Sequence, residues 1–175
     1  MSILSTEQVF DFEGKRLEAD SIVERLVDWF QSRPSVYQAI CVQNDPKYYY
    51  WGDIYLYMHD DELSGYAEIK VETRTTRQTP NLAIERWSKI EQQTNGGPWS
   101  TQAKYYGHLY ADWNLFIMFR LPLLDWLNSE YTTFRTFQAR NAGYITSGVL
   151  VPRDRLMQAL DKRVGVYTVK GNEDD

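Results

Sequence analysis

The chain has 175 residues, 43% of them hydrophobic and 25% charged, which is enough for one globular domain with a sizeable core and too little for an independent second one. Its lone cysteine, Cys41, excludes an internal disulfide framework and a multi-cysteine zinc site, and fits a reducing compartment. A net charge of −5 argues against a protein that coats nucleic acid by bulk electrostatics, so such a partner would have to be met by local patches of Lys and Arg.

The first residues mix acids with apolar side chains and lack a basic start followed by a long apolar run, so no secretory signal is expected. No stretch approaches the roughly 18 apolar residues of a membrane span; residues 113–121 are strand-length and contain Asn114 and Arg120. The expectation is a soluble, cytoplasmic single domain over 1–170, with its core at about 20–120, followed by a frayed acidic tail at 171–175. Positive charge gathers at Arg74, Arg77, Arg86, Lys89 and Lys104, and again at Arg135, Arg140, Arg153, Arg155, Lys162 and Arg163.

Residues 19–32 read as an amphipathic helix. Ile22, Leu26 and Trp29 share one stripe, Val23, Val27 and Phe30 flank it, Asp20 or Ser21 caps it and Pro34 follows it. Residues 36–50 carry no clear period, although Asn44-Asp45-Pro46 marks a turn before the aromatic run Tyr48, Tyr49, Tyr50 and Trp51.

From 53 to 58 the pattern alternates, with Ile54, Leu56 and Met58 on one face and Asp53, Tyr55 and Tyr57 on the other. A second alternating strand spans 65–72, with Ala67, Ile69 and Val71 opposite Glu68, Lys70 and Glu72. The polar stretch between them predicts an antiparallel hairpin. Matching the apolar faces and centring the turn near Asp61 and Glu62 sets Asp53 opposite Lys70 and Tyr55 opposite Glu68. Asp53 and Glu68 are then diagonal neighbours roughly 7 Å apart, so two carboxylates and a lysine converge on one face.

A third strand is predicted at 82–87, pairing with the second, with Leu82 and Ile84 on the apolar face and Glu85 near Glu68. Asn95-Gly96-Gly97-Pro98 breaks the chain, 100–108 reads as a short helix, and 114–120 is an apolar run typical of a strand buried on both faces. Beyond it, 122–134 is predicted as a helix, 143–151 as a strand and 152–162 as a helix with Pro152 in its first turn. Internal repeats and low-complexity segments are absent.

Phosphodiester hydrolysis needs charge stabilised on phosphate oxygens and a nucleophile made from water, and a divalent cation on carboxylates does both. Mg²⁺ suits one or two carboxylates plus substrate phosphate, and a lysine beside it can position the water, help deprotonate it or steady the phosphate. Asp53, followed by Glu68-Ile69-Lys70 at the centre of a strand, resembles the D…(D/E)xK motif of the PD-(D/E)XK nuclease superfamily. The strings EIKVETR, NLAIERWS and ADW are similar to small uncharacterised phage and bacterial proteins of that fold, extending the resemblance over residues 20–120.

The resemblance implies an α/β, restriction-endonuclease-like αβββαβ core with a mixed central sheet flanked by helices, here with a C-terminal αβα extension. It implies a Mg²⁺- or Mn²⁺-dependent deoxyribonuclease. Asp53 and Glu68 would be ligands, with the Ile69 carbonyl as a further one; Lys70 would act at water or phosphate, and Glu85 as an auxiliary acid. Gly52 stands where the motif has proline, and Glu18 and Glu24 are equal candidates for the acid some members carry on the first helix.

Plainer readings stand beside these. Glu68 and Lys70 would also suit a solvated pair on an exposed strand, Glu85 a structural role, and Asp112 a turn. Arg74, Arg77 and Lys104 fit either phosphate contacts or ordinary surface charge, and His59 and His108 lack metal-ligand spacing. The aromatic run 48–51 serves packing or stacks on unpaired bases. The competing functions are a non-catalytic domain of the same fold binding nucleic acid or protein, and an interaction protein unrelated to nucleic acid. A homodimer would let such a nuclease reach both strands, but no segment advertises an interface.

Overall fold

The computed structural model describes residues 12–72, 80–110, 114–141 and 143–169, and of 12–20 the backbone alone. The chain is mixed α/β. Its elements run α1 (Phe12–Gln31), β1 (Val36–Cys41), β2 (Ile54–Met58), β3 (Gly65–Val71), β4 (Asn81–Lys89), β5 (Thr94–Asn95) and β6 (Tyr105–Leu109). They continue with β7 (Asn114–Phe119), α2 (Arg120–Glu130), β8 (Arg135–Asn141), β9 (Tyr144–Pro152), α3 (Arg153–Leu160) and β10 (Val164–Thr168).

Six strands form one sheet in the order β1-β2-β3-β6-β7-β10, with only the β3–β6 pair parallel, and a second sheet has the order β5-β4-β9-β8. The apolar face of α1 forms but is centred one residue over from the Ile22, Leu26 and Trp29 stripe, with Ile22 and Trp29 only partly buried. Val23, Leu26 and Phe30 are buried against one face of the first sheet with Ile54, Leu56, Ala67, Ile69 and Leu115. The opposite face carries Tyr106, Phe116 and Met118 into a second core with Leu82, Ile84, Val149 and Val151 of the second sheet and with α2 and α3. Strand β7 therefore serves both cores, Leu115 one way and Phe116 and Met118 the other, as its continuous apolar run requires.

The hairpin of β2 and β3 forms, but its register is shifted by two residues from the expected one, with Ile54↔Ala67, Tyr55↔Tyr66 and Leu56↔Gly65. The turn is not symmetric. A 3-10 turn at Asp61–Leu63, capped by the Asp60 side chain, follows two residues, Tyr57 and Met58, that pair with β1 instead of β3. A shift of two keeps the side-chain parity, so the apolar faces still coincide.

Three expectations are overturned. The strand at Asn81–Lys89 does not pair with β3; it joins β9 in the second sheet, and β3 takes β6 as its parallel neighbour. All five residues of β6 are buried, so β6 belongs in the sheet interior, whereas β4 carries Glu85, Arg86 and Ser88 only partly covered. The segment read as a helix at 100–108 is instead a loop leading into β6, whose tyrosines suit a buried strand. Gly107 suits it too, since a Cβ there would lie 2.6 Å from Ile69 Cδ1. The C-terminal part is α2-β8-β9-α3-β10 rather than an αβα extension, and β10 closes the edge of the first sheet against β7.

None of the described helices is long and apolar enough to cross a membrane. The tail at 171–175, Asp112, Arg74 and Arg77 lie outside the described residues.

Candidate active site

A cleft of about 580 Å³ opens where the β2–β3 ladder ends, and Asp53, Glu68, Ile69, Lys70 and Glu85 all line it. Asp53 enters through Gly52, whose φ of +129° lies in the region open to glycine and whose absent Cβ would stand 2.7 Å from the Ala67 carbonyl oxygen. This close approach explains why glycine precedes the aspartate. The Asp53 N–H donates to Ala67 O at 2.9 Å, and its carbonyl accepts from Val42 N–H at 2.8 Å. The Ile69 N–H donates to Asp53 Oδ2 at 2.7 Å, so the carboxylate takes over where the strand ladder stops.

The regular β2–β3 register ends at Ile54↔Ala67, and the Asp53 N–H turns to the Ala67 carbonyl, which leaves Asp53 close enough to Glu68 for its charge to act on that carboxyl. The Glu68 carboxyl is pushed up to about 8, first by burial and then by the charge of Asp53. A hydrogen bond from Thr101 and the charge of Lys70 oppose that rise without cancelling it. Glu85 arrives from the other sheet, at a bulge where the β4–β9 register slips between Glu85 and Trp87. Its Oε1 lies 3.0 Å from Lys70 Nζ, with the two side chains 26% and 39% exposed.

The parallel register of β3 and β6 sets Tyr106 beside Glu68 and His108 beside Lys70. Tyr106 is buried in the cleft wall, and its phenol is raised well above its ordinary value by burial first and then by Glu68, Glu85 and Asp53. It stays a neutral hydrogen-bond donor. Neither Tyr106 nor Thr101 is legible as a site residue when 100–108 is read as a helix. The Asn95-Gly96-Gly97-Pro98 break, which packs against Glu85, is the one signal pointing to that wall; a Cβ on Gly97 would meet Glu85 O at 2.7 Å.

Other candidates lie elsewhere. Lys104 Nζ donates to the carbonyls of Glu62 and Ser64, and the residue lines a different cleft with Trp51, Tyr55 and Pro122, so it is not placed for phosphate contact at this site. Its stem lies over Gly65, which holds it against the β2–β3 turn. Glu24 is exposed on α1, across the sheet from the cleft, and the Glu18 side chain is outside the description. His59 is exposed against Tyr37, while His108 is fully buried, stacked on Tyr110 at 4.8 Å.

The donor set fits a hard divalent cation. Two carboxylates lie close enough for the like charge of Asp53 to raise Glu68, a repulsion that a cation between them would relieve, and in a strand the Ile69 carbonyl points to the same side as its N–H, toward Asp53. Among the described residues no group of three or more His, Cys, Asp or Glu side chains is close enough to hold a metal, so the protein side-chain ligands would be Asp53 and Glu68. Mg²⁺ commonly keeps several waters beside so few carboxylates. No protein-family model, curated protein or solved structure matches the chain.

Proposed function

We propose that the chain is a Mg²⁺- or Mn²⁺-dependent nuclease of the PD-(D/E)XK kind that hydrolyses phosphodiester bonds, with DNA as its substrate. The observation that carries the reading is the meeting of Asp53, Glu68 and Lys70 in one cleft at the end of the β2–β3 ladder. The order of α1, an antiparallel β1-β2-β3 meander and then a strand parallel to β3 supports the αβββαβ core. In this chain the stretch 81–99, with β4 and β5, lies in the crossover where that core has its second helix.

Asp53, Glu68 and the Ile69 carbonyl would hold the cation, which when bound neutralises charge developing on phosphate oxygens and activates water. The chain's own groups do the rest. The Ile69 N–H fixes the Asp53 carboxylate at the end of the ladder, where it lines the cleft. Lys70 presents a compact cation to phosphate or attacking water, and Glu85 positions that ammonium from the second sheet. Tyr106 offers a neutral O–H at the buried side of the cleft.

The test is incubation of labelled single-stranded, duplex and branched DNA with the protein in Mg²⁺, Mn²⁺ or EDTA. Cleavage that needs the metal is the expected result. Intact DNA in every arm, with a folded protein, would replace this reading with a non-catalytic binding domain of the same fold.

A further inference from the structure

The cleft is walled by more than acids. Tyr49 and Tyr50, 76% and 62% exposed, line it on one side with their rings in edge contact at 5.0 Å, and Trp99 lines it as well. The Tyr49 and Tyr50 rings belong to neither core, whereas Trp99 is partly buried and packs by one side against the second. Tyr50 is anchored through its backbone, its carbonyl accepting from Gln102 N–H at 2.6 Å, which leaves the ring to face the cleft. Trp99 is held rigidly: its Nε1 donates to Asn128 Oδ1 at 3.1 Å, and the Arg86 guanidinium packs 5.0 Å from its ring.

Charge points the same way. Among the described residues lining the cleft, Lys70 is the one cation, against Asp53, Glu68 and Glu85, and Lys70 is already paired with Glu85. Duplex binding draws mainly on several cations set against phosphates, with bases hidden in the stack. Unpaired nucleotides expose their faces, and stacking on aromatic rings holds them with few cations. The Thr101 hydroxyl, which bonds Glu68 and approaches Tyr50 O at 3.4 Å, ties the aromatic loop to the acidic centre, so a base on the rings brings its phosphate toward Asp53 and Glu68.

We propose that the cleft takes a single strand of nucleic acid, stacking unpaired bases on Tyr49, Tyr50 and Trp99 beside the carboxylates. The inference rests on the nuclease reading for what happens to the strand but not for its binding. The test is fluorescence anisotropy with the full chain in Ca²⁺, using a labelled strand of about 12 nucleotides as DNA, as RNA and as DNA annealed to its complement. The single strands should bind at least about tenfold more tightly than the duplex. Tyr49→Ala and Tyr50→Ala should each weaken that binding about tenfold, and Tyr49→Phe and Tyr50→Phe should retain it.

Equal or tighter duplex binding, or alanine variants that bind single strands like wild type, would overturn the inference. Tyr49 is the more exposed and less anchored of the pair, so Tyr49→Ala decides the matter should Tyr50→Ala not fold. Tyrosine-dependent binding without cleavage in Mn²⁺ would leave this inference standing and remove the nuclease reading. Metal-dependent cutting of duplex, indifferent to both tyrosines, would do the reverse.

Discussion

Lys70 Nζ and Glu85 Oε1 meet at 3.0 Å across two separate sheets, joining the centre of β3 to the bulge in β4. Because both side chains are about a third exposed, the pair should contribute no more than about 1 kcal/mol to stability. On the proposed reading its role is to aim the ammonium. Glu85→Gln should leave the melting temperature nearly unchanged while lowering kcat about tenfold, with partial recovery in Glu85→Asp. Lys70→Ala should lower kcat about a hundredfold or more. Single-turnover cleavage beside thermal melts measures both, and a fall in stability equal to the fall in rate would contradict a positioning role for Glu85.

Glu68 sets stability against function. With its folded value raised to about 8 by burial and by Asp53, it favours folding below the ordinary carboxylate range and progressively penalises it as pH rises toward 8. Glu68→Gln should therefore stabilise the fold at neutral pH, by about 1 kcal/mol or roughly 2–4 °C. It should also lose Mn²⁺ binding. A metal held by Glu68 as proposed would have to displace that proton, so Mn²⁺ affinity should climb about tenfold per pH unit up to about 8 and flatten above. Calorimetric titrations at stepped pH read this directly, and a flat profile would contradict it.

Gly52→Ala tests how Asp53 is delivered. A side chain there meets both a φ of +129° and the Ala67 carbonyl at 2.7 Å, which together should cost about 1–3 kcal/mol or more and displace the aspartate. Chemical denaturation and Mn²⁺ titration should both register the change. An alanine variant with wild-type stability and metal affinity would show that the backbone does not need glycine at this point.

How far the sequence reached can be followed residue by residue. Strict alternation in β2 and β3 was enough to set Asp53 and the Glu68-Ile69-Lys70 triplet on facing strands. Register then depended on an unequal turn that alternation does not encode. Strand β1 was unreadable because a register irregularity between Val36 and Gln38 breaks its period, leaving Val36 and Ala39 buried with two exposed residues between them. Strand β8 is an exposed edge with no apolar face to announce it. Strand β6 packs aromatics and a histidine on both faces, a pattern that period alone does not separate from a helix, and misreading it hid Tyr106 and Thr101. Glu85 reached the site by a route invisible in the sequence, through a second sheet rather than a third strand beside β3.

Buried His108 gives the protein an acid weakness. Burial first, then Lys70 and Arg153, lowers its value from 6.5 to about 3, so it stays neutral in the fold while the unfolded chain takes up a proton. The His108 contribution should fall by up to about 1.4 kcal/mol per pH unit through that window, offsetting the opposite trend of Glu68 down to about pH 4.5 and lowering total stability below it. His108→Phe, packed against Tyr110, should remove that loss, so that the variant gains stability relative to wild type as pH falls below about 6.5. Denaturant midpoints from pH 7 to 4 test this, and parallel curves for the two proteins would contradict it.

The most direct measurement is cleavage of one labelled single-stranded DNA in Mn²⁺ by wild type, Glu68→Gln and Lys70→Ala at matched folded concentration, with EDTA as the blank. Cutting by wild type alone, abolished by EDTA and by either substitution in proteins that melt no lower than wild type, is the predicted result. Cutting that survives both substitutions, or a folded wild type that never cuts, would contradict the assignment of Asp53, Glu68 and Lys70 as a metal-dependent nuclease centre.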